Sequence, residues 1–230
     1  MASLLVSCEH GGNRIPARYR PLFKGRDALL QSHRGQDAGA LVMAEELAAA
    51  FAAPLFVSTT SRLLVDLNRS PGHPRLYSEI TRAAAQALRR EMLELHYLPY
   101  RSRVEAAIAQ EIARGRRVVH ISSHSFTPVL NGKARNADIG LLYDPARPDE
   151  RALCLRWQAA LKALAPHLRV RRNYPYRGTS DGFTAWLRQR FAQGDYAGVE
   201  LEINQQRVGD KAWPALRRQL IAALRQALAA

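Results

Sequence analysis

Residues 117–122, Arg-Val-Val-His-Ile-Ser, form a short β-branched run behind Gly115 and lead into Ser123-His124-Ser125. Such a run reads as a buried strand, and a buried strand that ends in histidine delivers an imidazole to the rim of a sheet. Similar runs occur at 3–8, 54–58, 139–143, 168–173 and 197–204, with helical periodicity over 37–51, 77–114, 149–165, 180–193 and 212–229. Strands alternating with helices predict an α/β fold: a single domain over 1–230, with a mixed, mostly parallel sheet flanked by helices. In an open α/β sheet, sites are built at the carboxyl ends of the strands. A histidine there is either a metal ligand or a side chain satisfied by the backbone.

The 230 residues fit one domain with a substantial core. No apolar run approaches the roughly 20 residues needed to cross a bilayer. Cys8 and Cys154 are far apart and in no metal-binding pattern, so a soluble, cytoplasmic protein with reduced thiols is expected, without membrane partners. The formal charge of +14 comes from arginines dispersed among alanines on helix faces, the pattern of a solvated surface. Few aromatics and no recognisable motif argue against a nucleic-acid partner. An anionic substrate therefore has to be recognised by particular arginines.

Four stretches supply candidates. His10 follows the first strand and precedes Gly11 and Gly12, which allow a tight turn; a plain strand-to-loop turn is the alternative. Asp37 opens a helix, as a ligand or simply as an N-cap. Arg62 and Arg69 bracket the apolar run 63–67, expected to be a strand, and Asn68 adds a donor suited to a carboxylate. Glu200 and Glu202 lie two apart and share one face of a strand, where carboxylates are costly to bury unless paired or metal-bound. A Cys8/His10 thiol hydrolase is a further possibility, with Cys8 as a plain core residue the alternative.

The segments Cys8-Glu-His-Gly-Gly-Asn-Arg-Ile-Pro16, Arg62 with Asp66-Leu-Asn-Arg69, Tyr97-Leu-Pro-Tyr100, Ser123-His-Ser125, Asn173-Tyr-Pro-Tyr-Arg-Gly178 and Glu200-Leu-Glu-Ile-Asn204 occur in this order over nearly the whole chain. Together they resemble the N-formylglutamate amidohydrolase family of the zinc carboxypeptidase-like superfamily. The resemblance implies a phosphorylase/hydrolase-like fold and a Zn2+ cofactor held by His10 and His124. The superfamily's usual third ligand, a glutamate three residues after the first histidine, is Asn13 here. His33-Arg-Gly-Gln-Asp37 resembles a family segment that points to Asp37 instead, with Glu9 the competitor. By the same resemblance Glu202 is the general base, with Glu200 orienting a neighbour, and Arg62 polarises the scissile carbonyl. Asn68 and Arg69 clamp a substrate carboxylate, and Tyr100 and Tyr176 line the pocket. The implied reaction is hydrolysis of a small, carboxylate-bearing N-acyl amino acid such as N-formyl-L-glutamate. The opening Cys-Glu-His-Gly-Gly-Asn departs from the family's Pro-His-Ser-Gly form, which suggests a divergent branch with another acyl-amino acid or a peptide as substrate. A relative that binds such a ligand without catalysis is the alternative.

Overall fold

The β-branched run after Gly115 is buried along its whole length because it lies in the middle of a sheet with both faces covered. The computed structural model describes residues 2–229. In chain order, β1 (Ser3–Cys8) leads through a 3-10 turn (Ala17–Phe23) and α1 (Asp27–Gln31) to α2 (Ala40–Phe51) and β2 (Leu55–Val57). After an irregular stretch come α3 (Glu79–Arg82), α4 (Gln86–Met92), a π turn (Leu93–Tyr97) and α5 (Leu98–Ala113). The sheet resumes with β3 (Val118–Phe126), followed by the hairpin of β4 (Val129–Leu130) and β5 (Lys133–Ala134), then β6 (Ile139–Leu142). The chain closes with α6 (Pro148–Leu164), β7 (Val170–Arg172), α7 (Phe183–Arg188), β8 (Tyr196–Asn204), α8 (Gln205–Val208) and α9 (Trp213–Ala229).

The six-stranded sheet has the order β2-β1-β3-β8-β6-β7. Its strands β2, β1, β3 and β8 are mutually parallel, whereas β6 runs antiparallel to β8 and parallel to β7. This is the mixed, mostly parallel α/β sheet expected from the sequence. The carboxyl ends of β1, β3 and β8 therefore meet at one edge. One core cluster joins α2, α6 and α9 to the sheet through Met43, Trp157 and Leu220. Another packs α5 and α7 on the opposite face through Ile108 and Phe183. On β3, Val119 and Ile121 belong to the first cluster, while the alternate residues His120, Ser122 and His124 are buried polar groups. Period-two alternation thus gives the middle of the sheet one apolar and one polar face. No described helix is long and apolar enough to cross a membrane.

Several local expectations are corrected. Residues 62–67 are turns rather than a strand; Leu63 and Leu64 are buried against Tyr19, Phe23 and Met92 in a small satellite core, so burial and not strand pairing explains their apolarity. Residues 17–36, which lie outside the strands and helices expected from the sequence, contain the 3-10 turn and α1. Pro99 lies within a helical stretch that runs without interruption from α4 through the π turn into α5, and the π turn just before it is where the ladder accommodates the ring and the missing N–H. Only the middle of the segment 180–193 is helical, as α7. Asp37 is not an N-cap, since Gly39 takes that place in α2 with φ 80. A Cβ at residue 39 would also lie 2.7 Å from Val208 Cγ2, so turn and packing both require glycine there.

Candidate functional site

His10, Asp37 and His124 converge at the carboxyl edge of the sheet, each presenting a ligand atom within 4.8 Å of the others. β1 ends at Cys8, so His10 begins the loop, and its carbonyl accepts a hydrogen bond from the Asp37 amide (3.0 Å). Gly12 allows this loop to lie against residues 58–60, since a Cβ there would come within 2.6 Å of Thr59 O. The sequence suggested glycine for a turn or a close ligand approach; the structure shows close backbone packing. His124 lies inside β3 rather than after it, directly across the ladder from Glu202.

Asp37 Oδ2 is 3.3 Å from His10 Nδ1 and 2.9 Å from His124 Nδ1. The opposite nitrogens are engaged as well. His10 Nε2 donates to Asp66 Oδ1 at 2.7 Å, and His124 Nε2 lies 2.9 Å from Ser122 Oγ and 3.2 Å from Glu9 Oε2. Burial favours the neutral forms of Asp37, Glu9 and His124, but opposite charges outweigh it. Asp37 is held well below the usual carboxylate range by His10, His124 and Arg62, and Glu9 by His124, Ser122 and Ser7. His124, between Asp37 and Glu9, is raised well above an ordinary imidazole.

Two histidine nitrogens and a carboxylate oxygen facing one point, with both far nitrogens bound to carboxylates, are a donor set suited to zinc. Glu9 lies behind His124 and not beside the ligand atoms, hydrogen-bonded to Ser122 (2.6 Å) and Tyr100 (2.9 Å).

Glu202 is 5% exposed and its Oε2 has no hydrogen-bond partner among the described residues. Burial pushes its carboxyl up to about 8; Asp37 and Glu200 add to the shift, and His124 and Arg62 oppose it. Glu200 accepts from Thr184 Oγ1 at 2.6 Å. Arg62 donates from Nη1 to Asp37 (3.2 Å) and from Nη2 to Asp66 (2.8 Å), which leaves one proton on each nitrogen. Asn68 accepts from the Phe183 amide (2.6 Å) through Oδ1, so its amide donors remain. Arg69 Nη1 donates to Asp181 O at 2.7 Å, while its buried Nε has no partner among the described residues.

Tyr176 is 43% exposed at the rim, with the Arg135 guanidinium 4.8 Å from its ring centroid. Its phenol pKa is raised by burial and then by Glu202. Tyr100 does not line this rim: it is buried behind His124, its hydroxyl donating to Glu9 and Phe56 O. Cys8 is fully buried in the core, and burial, with Glu9 and Asp37, raises its thiol far above the reactive range, which removes the thiol-hydrolase reading.

A model of the N-formylglutamate amidohydrolase family matches residues 2–208. The chain belongs to that family. A crystallised gene product of Agrobacterium tumefaciens shares 32% identity with it over 99% of this chain and 91% of its own, with a TM-score of 0.85. An N-formylglutamate amidohydrolase from Ralstonia eutropha shares the fold at 18% identity, covering 100% of this chain and 94% of its own, with a TM-score of 0.73. No curated protein matches the chain. Membership in the N-formylglutamate amidohydrolase family makes the chain a hydrolase of amide bonds in N-acyl amino acids. Sequence reading assigned no part to Asp66, Ser122 or Thr184. Asp66 stood within a quoted family segment, and Ser122 lies two residues before His124 on the same strand face, but their partners are set by tertiary contacts.

Proposed function

We propose that the chain is a zinc-dependent amidohydrolase that cleaves an N-acyl amino acid bearing a free carboxylate, N-formyl-L-glutamate or a close relative. The observation that carries this reading is the convergence of His10 Nδ1, Asp37 Oδ2 and His124 Nδ1 beside the unpartnered carboxylate oxygen of Glu202. Zinc in such a donor set supplies Lewis acidity and brings the pKa of a water towards about 7.

Beside a bound cation the raised Glu202 carboxyl would lose its proton; it then takes one from the attacking water as the C–O bond forms and passes it to the leaving nitrogen as the C–N bond breaks, giving the acid and a free amine. Arg62, fixed by Asp37 and Asp66, offers its remaining Nη protons to the carbonyl oxygen as negative charge develops there. The amide donors of Asn68 and the guanidinium of Arg69 grip the substrate carboxylate. Glu200, through Thr184, steadies the start of α7 beside Asn68. Tyr176 covers the mouth.

The test is metal content of chelator-free protein beside His124→Ala, followed by a panel of N-acyl amino acids. About one zinc per chain, lost in the variant, with release of a free amino acid from the panel, is the expected result. Zinc uptake without hydrolysis of any member would favour the non-catalytic binding reading. No metal even after loading would remove the zinc mechanism.

A further inference from the structure

We infer that Arg101 is a positioning residue for the carboxylate clamp: from α5 it ties down the backbone on both sides of the Asn68-Arg69 pair and so aims both side chains at the substrate. The inference rests on the clamp proposed above. Arg101 is 4% exposed. Its Nη1 donates to Leu67 O at 3.0 Å and to Arg69 O at 3.2 Å. Tyr97, four residues earlier and one turn away, donates from its hydroxyl to the same Arg69 carbonyl at 2.7 Å. One guanidinium nitrogen thus bridges the two carbonyls that bracket Asn68 and Arg69.

The rest of the cation meets rings and not acids. Arg101 Cζ lies 4.3 Å from the Phe183 ring centroid, 4.8 Å from that of Trp186 and 5.0 Å from that of Tyr97. Among the described residues no carboxylate is at ion-pair distance from Arg101, and its buried Nη2 has no hydrogen-bond partner. The buried Arg188, by contrast, is paired with Glu150. An unpaired buried cation is costly, and a methionine would fill an aromatic pocket without that cost. Arginine alone combines a flat face for stacking with donors that span two carbonyls, so the demand comes from the 67–69 backbone.

The same aromatic wall reaches Asn68. The Phe183 ring packs on Arg101, and the Phe183 amide donates to Asn68 Oδ1 at 2.6 Å. Arg69 is held at both ends as well, by Nη1 on Asp181 O and by its carbonyl on Arg101 and Tyr97. None of these bonds involves His10, Asp37, His124 or Glu202. Loss of the brace should therefore loosen the grip on the carboxylate and leave the metal and the proton transfer intact. A binding group misplaced by about 1 Å can cost about 100-fold, and one lost hydrogen bond costs about 5-fold.

The experiment follows steady-state hydrolysis by zinc-loaded wild type, Arg101→Met, Tyr97→Phe and Arg69→Ala, on the best substrate of the N-acyl amino acid panel and on its carboxamide. Arg101→Met should raise KM for the carboxylate substrate at least about 10-fold, with KM for the carboxamide, kcat and zinc content as in wild type. Tyr97→Phe keeps the ring on the guanidinium and one bond to Arg69 O, so the same KM should rise about 2- to 5-fold. A wild-type KM in Arg101→Met overturns the inference, as does an equal loss on both substrates, which would reduce Arg101 to packing. Should Arg101→Met fail to fold, Tyr97→Phe decides by the same criterion. If Arg69→Ala is itself indifferent to the carboxylate, or the wild type hydrolyses no member of the panel, the proposed function and this inference fall together. That result is distinct from an Arg69→Ala variant that loses the carboxylate preference beside an Arg101→Met variant that keeps it.

Discussion

Glu202 and Arg69 divide the proposed chemistry between proton transfer and substrate hold, so their variants should fail differently. Glu202→Gln removes a proton acceptor and leaves all three metal donors, so kcat should fall by at least about 100-fold with zinc content unchanged. A wild-type kcat in that variant would take Glu202 out of the reaction. Arg69→Ala should raise KM about 10- to 100-fold for substrates with a free carboxylate, and scarcely for their carboxamides; an effect confined to kcat would contradict the clamp. His120 gives a residue-scale test of stability. It is fully buried between Tyr196 OH (2.9 Å) and Ser7 Oγ (2.7 Å), and burial lowers its pKa from 6.5 to about 4. The unfolded chain then binds more protons between those two values. The contribution of a neutral His120 is present above pH 6.5 and is lost as the pH falls towards 4, about 3 kcal/mol in all. Urea unfolding at pH 7 and pH 4.5 should show a smaller drop in His120→Gln than in wild type; equal drops would place the acid sensitivity elsewhere.

The strands that carry the site were legible as elements. β1, β3 and β8 each contain a β-branched or apolar run, and the two-residue spacing of Glu200 and Glu202 put both on one strand face, whereas His124 was expected just after its strand and lies inside it. The run at 63–67 misled because an apolar stretch records burial and not strand pairing; here it plugs a satellite core beneath a loop. Asp37 was legible only as one of two roles, and Gly39 removes one of them by taking the cap position. The carboxylate partners of the histidines were not legible, because Asp66 and Glu9 acquire their roles through contacts 56 and more than 100 residues away in the chain. A second pairing of this kind ties α7 to β8. Arg188 is bound to Glu150 at 3.0 Å, to Gly178 O at 2.6 Å and to Gly198 O at 2.9 Å, and both charged partners are buried. Arg188→Ala strands Glu150, so unfolding free energy should fall by about 3–5 kcal/mol. Thermal melts should show a Tm lowered by roughly 10 °C, and a shift below about 2 °C would mean that Glu150 finds another partner.

Across the whole molecule, most of the arginines behind the net charge of +14 lie at the surface, while Arg101 and Arg188 are buried. Arginines such as Arg114 and Arg116 share Glu111, while others lie over the half-buried ring of Trp186 and the buried ring of Trp213. The acidic groups of the site are gathered inside, where Glu9, Asp37, Asp66 and Glu202 are all buried and, among the described residues, Arg62 is the only arginine or lysine at ion-pair distance from any of them. Three separate segments supply the candidate ligands: the loop after β1, the approach to α2 and the end of β3. An ion bound there links all three, so its binding free energy should add to the stability of the whole chain and not only to that of the loop. Zinc at about 100 times its Kd contributes about 2.7 kcal/mol, which corresponds to a rise in Tm of about 5–10 °C for a chain of this size. Chelation should reverse the rise, and His124→Ala should show none. A melting curve indifferent to zinc in the wild type would mean that the three segments do not close on a metal, whatever the likeness of the fold.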